Sequence, residues 1–133
     1  MSTWTHICGC IRFDGVVALG TPAPNLGRTC SFDDDSDTWD NCDVPCGSEG
    51  SIEHHLRTCT EDSKMARWSA MFYGDLRDYD DHDEILEYFK RITEGRMIRQ
   101  GVFTIDTSGM EPRTYEYDSA ENNQWSLCSL QYK

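Results

Sequence analysis

The amino-acid sequence predicts an α+β fold: an antiparallel sheet of about five strands, one main helix at residues about 82–94, and a long cysteine- and Asp-rich loop pinned by a metal. Three observations lead there. Apolar and polar residues alternate in several segments, as on a half-buried strand. The spacing changes to that of a helix once, between Asp81 and Gly95. Residues about 20–50 carry turn formers and charge without either period. The 133 residues are read as a single domain, 1–133, with residues about 20–50 as a loop insertion, because a second core could not bury enough apolar surface to hold together. With 38% hydrophobic and 11% aromatic residues, the chain has the side chains a core needs.

From Thr5 to Asp14 the alternation sets Ile7, Gly9, Ile11 and Phe13 on one side of a strand and His6, Cys8, Cys10 and Arg12 on the other. The loop follows. Unsupported loops of this length are uncommon in compact domains, and Cys30, Cys42 and Cys46 are the means by which this one would be tied down. Ser51 to Thr58 and Arg67 to Leu76 read as strands, the second with Trp68, Ala70 and Phe72 opposed to Ser69, Met71 and Tyr73. Asp81 and Glu84 have capping-box spacing, and Ile85, Leu86, Phe89 and Ile92 form the apolar stripe of the helix that ends before Gly95. Met97 to Asp106, with Gly101 as a bulge, and Arg113 to Asp118 read as a hairpin. Trp125 to Leu130 is either an edge strand or a cover for the core.

The formal charge is −12, with 24 acidic against 12 basic residues, and no basic cluster that could grip a phosphate backbone is present. A basic protein surface is the partner this charge suits. Thirteen of the 24 acids crowd two stretches, Asp33, Asp34, Asp35, Asp37, Asp40 and Asp43, then Asp75, Asp78, Asp80, Asp81, Asp83, Glu84 and Glu87, so these stretches are the expected contact surfaces. Acids at the start of the helix also suit its dipole, which gives some of them a structural role. The longest apolar runs, such as Val16 to Leu19, are far short of the roughly 20 residues a membrane helix needs.

Seven cysteines, an odd number, leave at least one thiol unpaired. The start Met1-Ser-Thr-Trp-Thr-His has neither the basic region nor the apolar run of a secretory leader, so a cytoplasmic chain with reduced thiols is expected. Cys8 and Cys10 lie two apart on a strand, and Cys42 and Cys46 flank a turn containing Pro45. Joined, they would make a closed four-thiolate structural zinc site. Cys30, Cys59 or His54 could replace one of the four.

Catalytic patterns are missing. The adjacent His54 and His55 face opposite sides of a strand. There is no His-Glu-x-x-His and no deaminase His-x-Glu with Pro-Cys-x-x-Cys. Asp33, Asp35 and Asp37 begin like a calcium loop, but Thr38 replaces its glycine and Val44 its closing glutamate. Asp78, Asp80, Asp81 and Asp83 lack a nucleophile or a phosphate-cradling loop beside them.

The Trp4-Thr5-His6 start, the Cys42-Asp-Val-Pro-Cys46-Gly-Ser-Glu-Gly50 segment and the Tyr73-Gly-Asp-Leu-Arg-Asp-Tyr-Asp80 segment resemble small phage and prophage proteins that disarm bacterial defence. Among these, the chain is most similar to a zinc-containing anti-CRISPR protein of type II systems. The resemblance implies a non-enzymatic inhibitor in the bacterial host cell, binding an RNA-guided DNA nuclease whose channels are positively charged and hindering target loading. The alternative is a phage protein that sequesters a nucleotide immune signal, using Arg96, Arg99 and Arg113 with Tyr115 or Trp68 stacked on the base.

Overall fold

A computed structural model describes residues 2–30, 32–33, 35, 38–39, 42–60, 64–119 and 124–128. Its main element is a six-stranded antiparallel sheet built from β1 (Trp4–Val16), β6 (Glu53–Thr60), β7 (Met65–Arg77), β8 (Met97–Thr107), β9 (Arg113–Asp118) and β10 (Gln124–Leu127), in the order β10-β9-β8-β1-β7-β6. A 3-10 turn, Val17–Leu19, follows β1, and the helix α1 spans His82–Thr93. The insertion contains two two-stranded ladders: β2 (Phe32–Asp33) with β3 (Thr38–Trp39), and β4 (Cys46–Gly47) with β5 (Gly50–Ser51).

The first strand becomes the centre of the sheet because β7 and β8 pair with its two edges. Both run antiparallel to β1 and so parallel to each other, which is why the link between them is a helix crossing over β1 and not a hairpin. Alternation then sorts each strand. Thr5, Ile7, Ile11 and Phe13 of β1 are buried, while His6, Cys8, Cys10 and Arg12 are exposed. On β7, Trp68, Ala70, Phe72 and Leu76 are buried, and Met71 and Tyr73 are exposed. One face of the sheet therefore carries α1 and the loop, and the other is open.

Asp81 accepts a hydrogen bond from the Glu84 backbone N–H at 3.0 Å, so the expected cap forms. Its reciprocal half does not, because Glu84 instead accepts from the Tyr79 hydroxyl at 2.8 Å. Ile85, Tyr88, Phe89 and Ile92 supply the buried face of the helix. Phe89 sits at the centre of an aromatic cluster, stacked on Phe103 at 3.9 Å and edge-on to Phe72 at 5.1 Å. Phe72 and Phe103 both lie beside Gly9 in register. A side chain at Gly9 would meet Phe103 Cβ at 2.6 Å. This glycine is what leaves room for Phe103 on the covered face of the central strand.

The bulge falls between Arg12 and Phe13 on β1, opposite Gln100 and Ile98 on β8, next to the Gly101 position the sequence points to. Gly101 has a different task. Its missing side chain makes room for the Trp125 ring, which a Cβ would approach to 2.7 Å. The C-terminal segment is thus both an edge strand and a cover, with Trp125 buried and its indole N–H shared between Phe89 O and Thr93 Oγ1, each at 3.2 Å. Among the described residues no helix is long and apolar enough to cross a membrane.

Candidate metal centre

Three cysteine sulfurs meet on the covered side of the molecule. Cys30, Cys42 and Cys46 are half-buried and their Sγ atoms all lie within 4.8 Å of one another, near enough to hold one metal ion. The sulfurs of Cys30 and Cys42 are at disulfide distance, and Cys46 Sγ lies 2.9 Å from Cys30 Sγ.

Local structure explains the convergence. The turn former run Gly47 to Gly50 folds β4 onto β5, which sets Cys46 opposite Ser51. Ser51 Oγ in turn accepts the Cys30 backbone N–H at 3.0 Å, so one serine positions two of the thiols. Cys42 arrives through its neighbour. Asp43 N–H donates to Arg28 O at 2.8 Å and the Asp43 carboxylate accepts Arg28 N–H at 3.1 Å, zipping the two arms of the loop together beside the cluster. The whole unit is fastened to the body at two points. Gly47 approaches the backbone of Arg77 so closely that a Cβ would stand 2.6 Å from its carbonyl, and Ser48 N–H donates to that same oxygen at 3.0 Å. On the helix side, Arg91 donates to Asp43 O and the Tyr88 hydroxyl to Leu26 O.

Burial pushes the Cys46 thiol above its ordinary value of 9.0, and the negative charge of Glu84 raises it further. Three thiolates gathered beside a carboxylate repel one another, and a soft divalent cation is the species that would offset that repulsion. The donor set fits such an ion. Among the described residues no fourth His, Cys, Asp or Glu joins the group.

The grouping differs from the one the spacing pointed to. Cys42 and Cys46 come together with Cys30, not with Cys8 and Cys10. The strand containing Cys8 and Cys10 is central and turns Gly9 toward the aromatic core, so the pleat sends both thiols to the open face, whereas Cys42 packs against the core on the other side. Within the Cys-Gly-Cys pattern it is Gly9 that packs, against Phe103, while both thiols are exposed. His54 is also engaged elsewhere: its Nε2–H donates to Gly27 O at 2.8 Å and its ring meets Phe72 edge-on, so it secures the loop without a metal. His55 faces the other way, stacked on Tyr73, as adjacency on a strand requires. Cys59 stands on the edge strand opposite Arg67. Two features escaped the sequence reading altogether: the Ser51 bridge and the nearness of Glu84 to Cys46. Residues 21 and 38 positions apart, as Cys30 and Ser51 or Cys46 and Glu84 are, give no local signal of proximity.

Of the acidic contact candidates, Asp34, Asp37 and Asp40 lie outside the described residues. Asp33 belongs to β2, and Asp35 is exposed. Asp78, Asp80, Asp81 and Asp83 are exposed around the start of α1. Two of them have structural partners as well, since Asp81 caps the helix and Asp78 accepts from Ser48 Oγ at 2.9 Å. A groove lined by Asn25, Cys42, Asp43, Glu84, Glu87 and Tyr88 runs between the loop and the helix, and its charge is mainly negative.

Two of the three cationic residues considered for a nucleotide are separately engaged, and the third, Arg113, is exposed on β9. Arg99 pairs with the buried Asp14 at 3.0 Å, and Arg96 lies over the rings of Phe13 and Trp68 at 5.8 and 5.5 Å. Tyr115 is buried against Phe103. No protein-family model, curated protein or solved structure matches this chain.

Proposed function

We propose that this chain is a non-catalytic, acidic zinc protein that inhibits a host defence nucleoprotein by docking on its basic surface. The target is the RNA-guided DNA nuclease of a type II CRISPR system, and the effect is hindered loading of target DNA in the bacterial cytoplasm. One observation carries the reading: the thiols of Cys30 and Cys42, which flank the Asp-rich stretch in sequence, gather with that of Cys46, on which the Glu84 charge of α1 acts. Cys30, Cys42 and Cys46 would fill three tetrahedral positions of a structural zinc ion, with water or a further donor in the fourth. The ion then holds two acidic stretches in one orientation, so that less ordering entropy is lost on docking. The net charge of −12 supports an electrostatically steered encounter with a positively charged channel.

Two measurements test this. Elemental analysis of reduced, purified protein should return about one zinc per chain. Binding to a guide-loaded type II nuclease should weaken steeply as ionic strength rises, because exposed charges are screened beyond about 8 Å at physiological salt. Binding that is insensitive to salt, or no binding to the nuclease at all, refutes the assignment of partner.

A further inference from the structure

Cys30 has two sulfur neighbours at once, one at disulfide distance and one at 2.9 Å. The same three atoms that would hold an ion are therefore also placed to make a covalent bond in its stead. The two uses exclude each other. A metal needs thiolate charge, and a disulfide sulfur has none to offer.

We infer that the cluster is a redox-gated metal site, in which a peroxide converts the zinc-bound trio into a Cys30–Cys42 disulfide and expels the ion. The inference rests on the zinc reading above and adds its regulation. The balance is that of ordinary thiol oxidation. One thiolate attacks a peroxide oxygen and breaks the O–O bond, giving a sulfenic acid and, after protonation, water. The second thiolate attacks that sulfur, the S–S bond forms, and the departing hydroxide takes a proton as a second water. Two electrons pass from sulfur to hydrogen peroxide. Cys46 keeps its thiol but is left as the only sulfur ligand, which does not retain zinc. A reductant that returns two electrons restores the three-thiolate set.

The placement of the three residues gives the conversion a structural consequence. Cys30 and Cys42 bracket the Asp33 to Asp40 stretch, whereas Cys46 belongs to the ladder fastened against Arg77. With zinc, the acidic arm is cross-linked to that ladder. With the disulfide, the arm is closed upon itself, and its link to the body falls to hydrogen bonds alone: Cys30 N–H to Ser51 Oγ, and Arg91, Tyr88 and His54 to the carbonyls of Asp43, Leu26 and Gly27. Oxidation would loosen the docking surface without unfolding the sheet.

The test uses the full chain carrying Cys8→Ser and Cys10→Ser, two exposed positions whose thiols would otherwise compete for oxidant. Reduced protein is loaded with zinc, titrated with hydrogen peroxide in the presence of a colorimetric zinc indicator, and then mapped by peptide mass spectrometry. The expected result is release of one zinc for each Cys30–Cys42 disulfide formed, reversed by a dithiol reductant and added zinc. Zinc bound when reduced but retained after the Cys30–Cys42 bond forms, or released with that pair still reduced, overturns the redox inference and leaves the zinc reading standing. Reduced protein that takes up no zinc overturns both. A second variant, Cys46→Ser, keeps the disulfide pair and loses the third ligand. It should still form the Cys30–Cys42 bond while its zinc uptake falls at least about tenfold. Unchanged uptake would remove Cys46 from the site.

Discussion

At single positions, small atoms decide large features. Gly9 lies between Phe72 and Phe103 in register, and a methyl group there would stand 2.6 Å from Phe103 Cβ. Gly9→Ala should therefore cost about 1–3 kcal/mol by overpacking, read as a lower urea midpoint with unchanged slope. His82 makes a second prediction. The Thr5 hydroxyl donates to Tyr79 O and so accepts from the Thr107 hydroxyl, whose oxygen is left to accept the His82 Nε2–H at 2.6 Å. Nδ1 is then buried without a hydrogen-bond partner. Burial, with help from the charge of Arg113, lowers the folded-state pKa of His82 below its ordinary 6.5. The unfolded chain thus binds the proton more readily. The stabilising contribution is complete above pH 6.5 and is lost as pH falls from there through the lowered folded-state value. Melting temperatures of wild type and His82→Gln, measured from pH 7.5 to pH 5, should show the steeper acid loss in wild type. Parallel curves would remove His82 from the account.

Among the elements, α1 is the one whose sequence and structure agree most closely, because its start signal and its stripe are both local. Asp81→Ala removes the cap from the Glu84 N–H and should cost about 1 kcal/mol in thermal or urea unfolding. Phe89→Ala should cost about 3–5 kcal/mol, since the ring is fully buried and touches Phe72, Phe103 and Trp125 from β7, β8 and β10. The same change should loosen the last strand, whose Trp125 ring packs edge-on against the Phe89 ring at 5.8 Å, and tryptophan fluorescence should shift red. The strands were legible for the reason the helix was: alternation in β1, β7 and β8 survives in the folded molecule almost residue for residue. The two small ladders of the insertion were not. A two-residue strand has no period to detect.

For the molecule as a whole, the insertion is the part whose stability is conditional. It rests on the thiol cluster, on His54 and Tyr88 reaching loop carbonyls, and on the Gly47 approach to Arg77. Stripping metal with a chelator from reduced protein should raise amide exchange between residues 21 and 52 while leaving β1, β7 and β8 protected. Uniform loss of protection would mean that the cluster supports the sheet itself; no change would mean that the hydrogen bonds suffice. Net charge acts at this scale too. Self-repulsion at −12 should make the protein more stable in about 0.5 M salt than at low ionic strength, unless the acid-rich surfaces are already neutralised by bound cations.

The sequence by itself determined the class of fold, the helix with its cap and the faces of the main strands, because each is written in neighbours a few residues apart, and it fixed the net charge of −12 by composition alone. Only the tertiary structure decided which thiols meet. Cys8 and Cys10 are close in the chain but sit on the far side of a one-residue-thick sheet, while Cys30, separated from Cys46 by 16 positions, is brought to 2.9 Å by a serine in a third segment. Periodicity reports which face a residue occupies along its own strand. It carries no information about what folds back to cover that face.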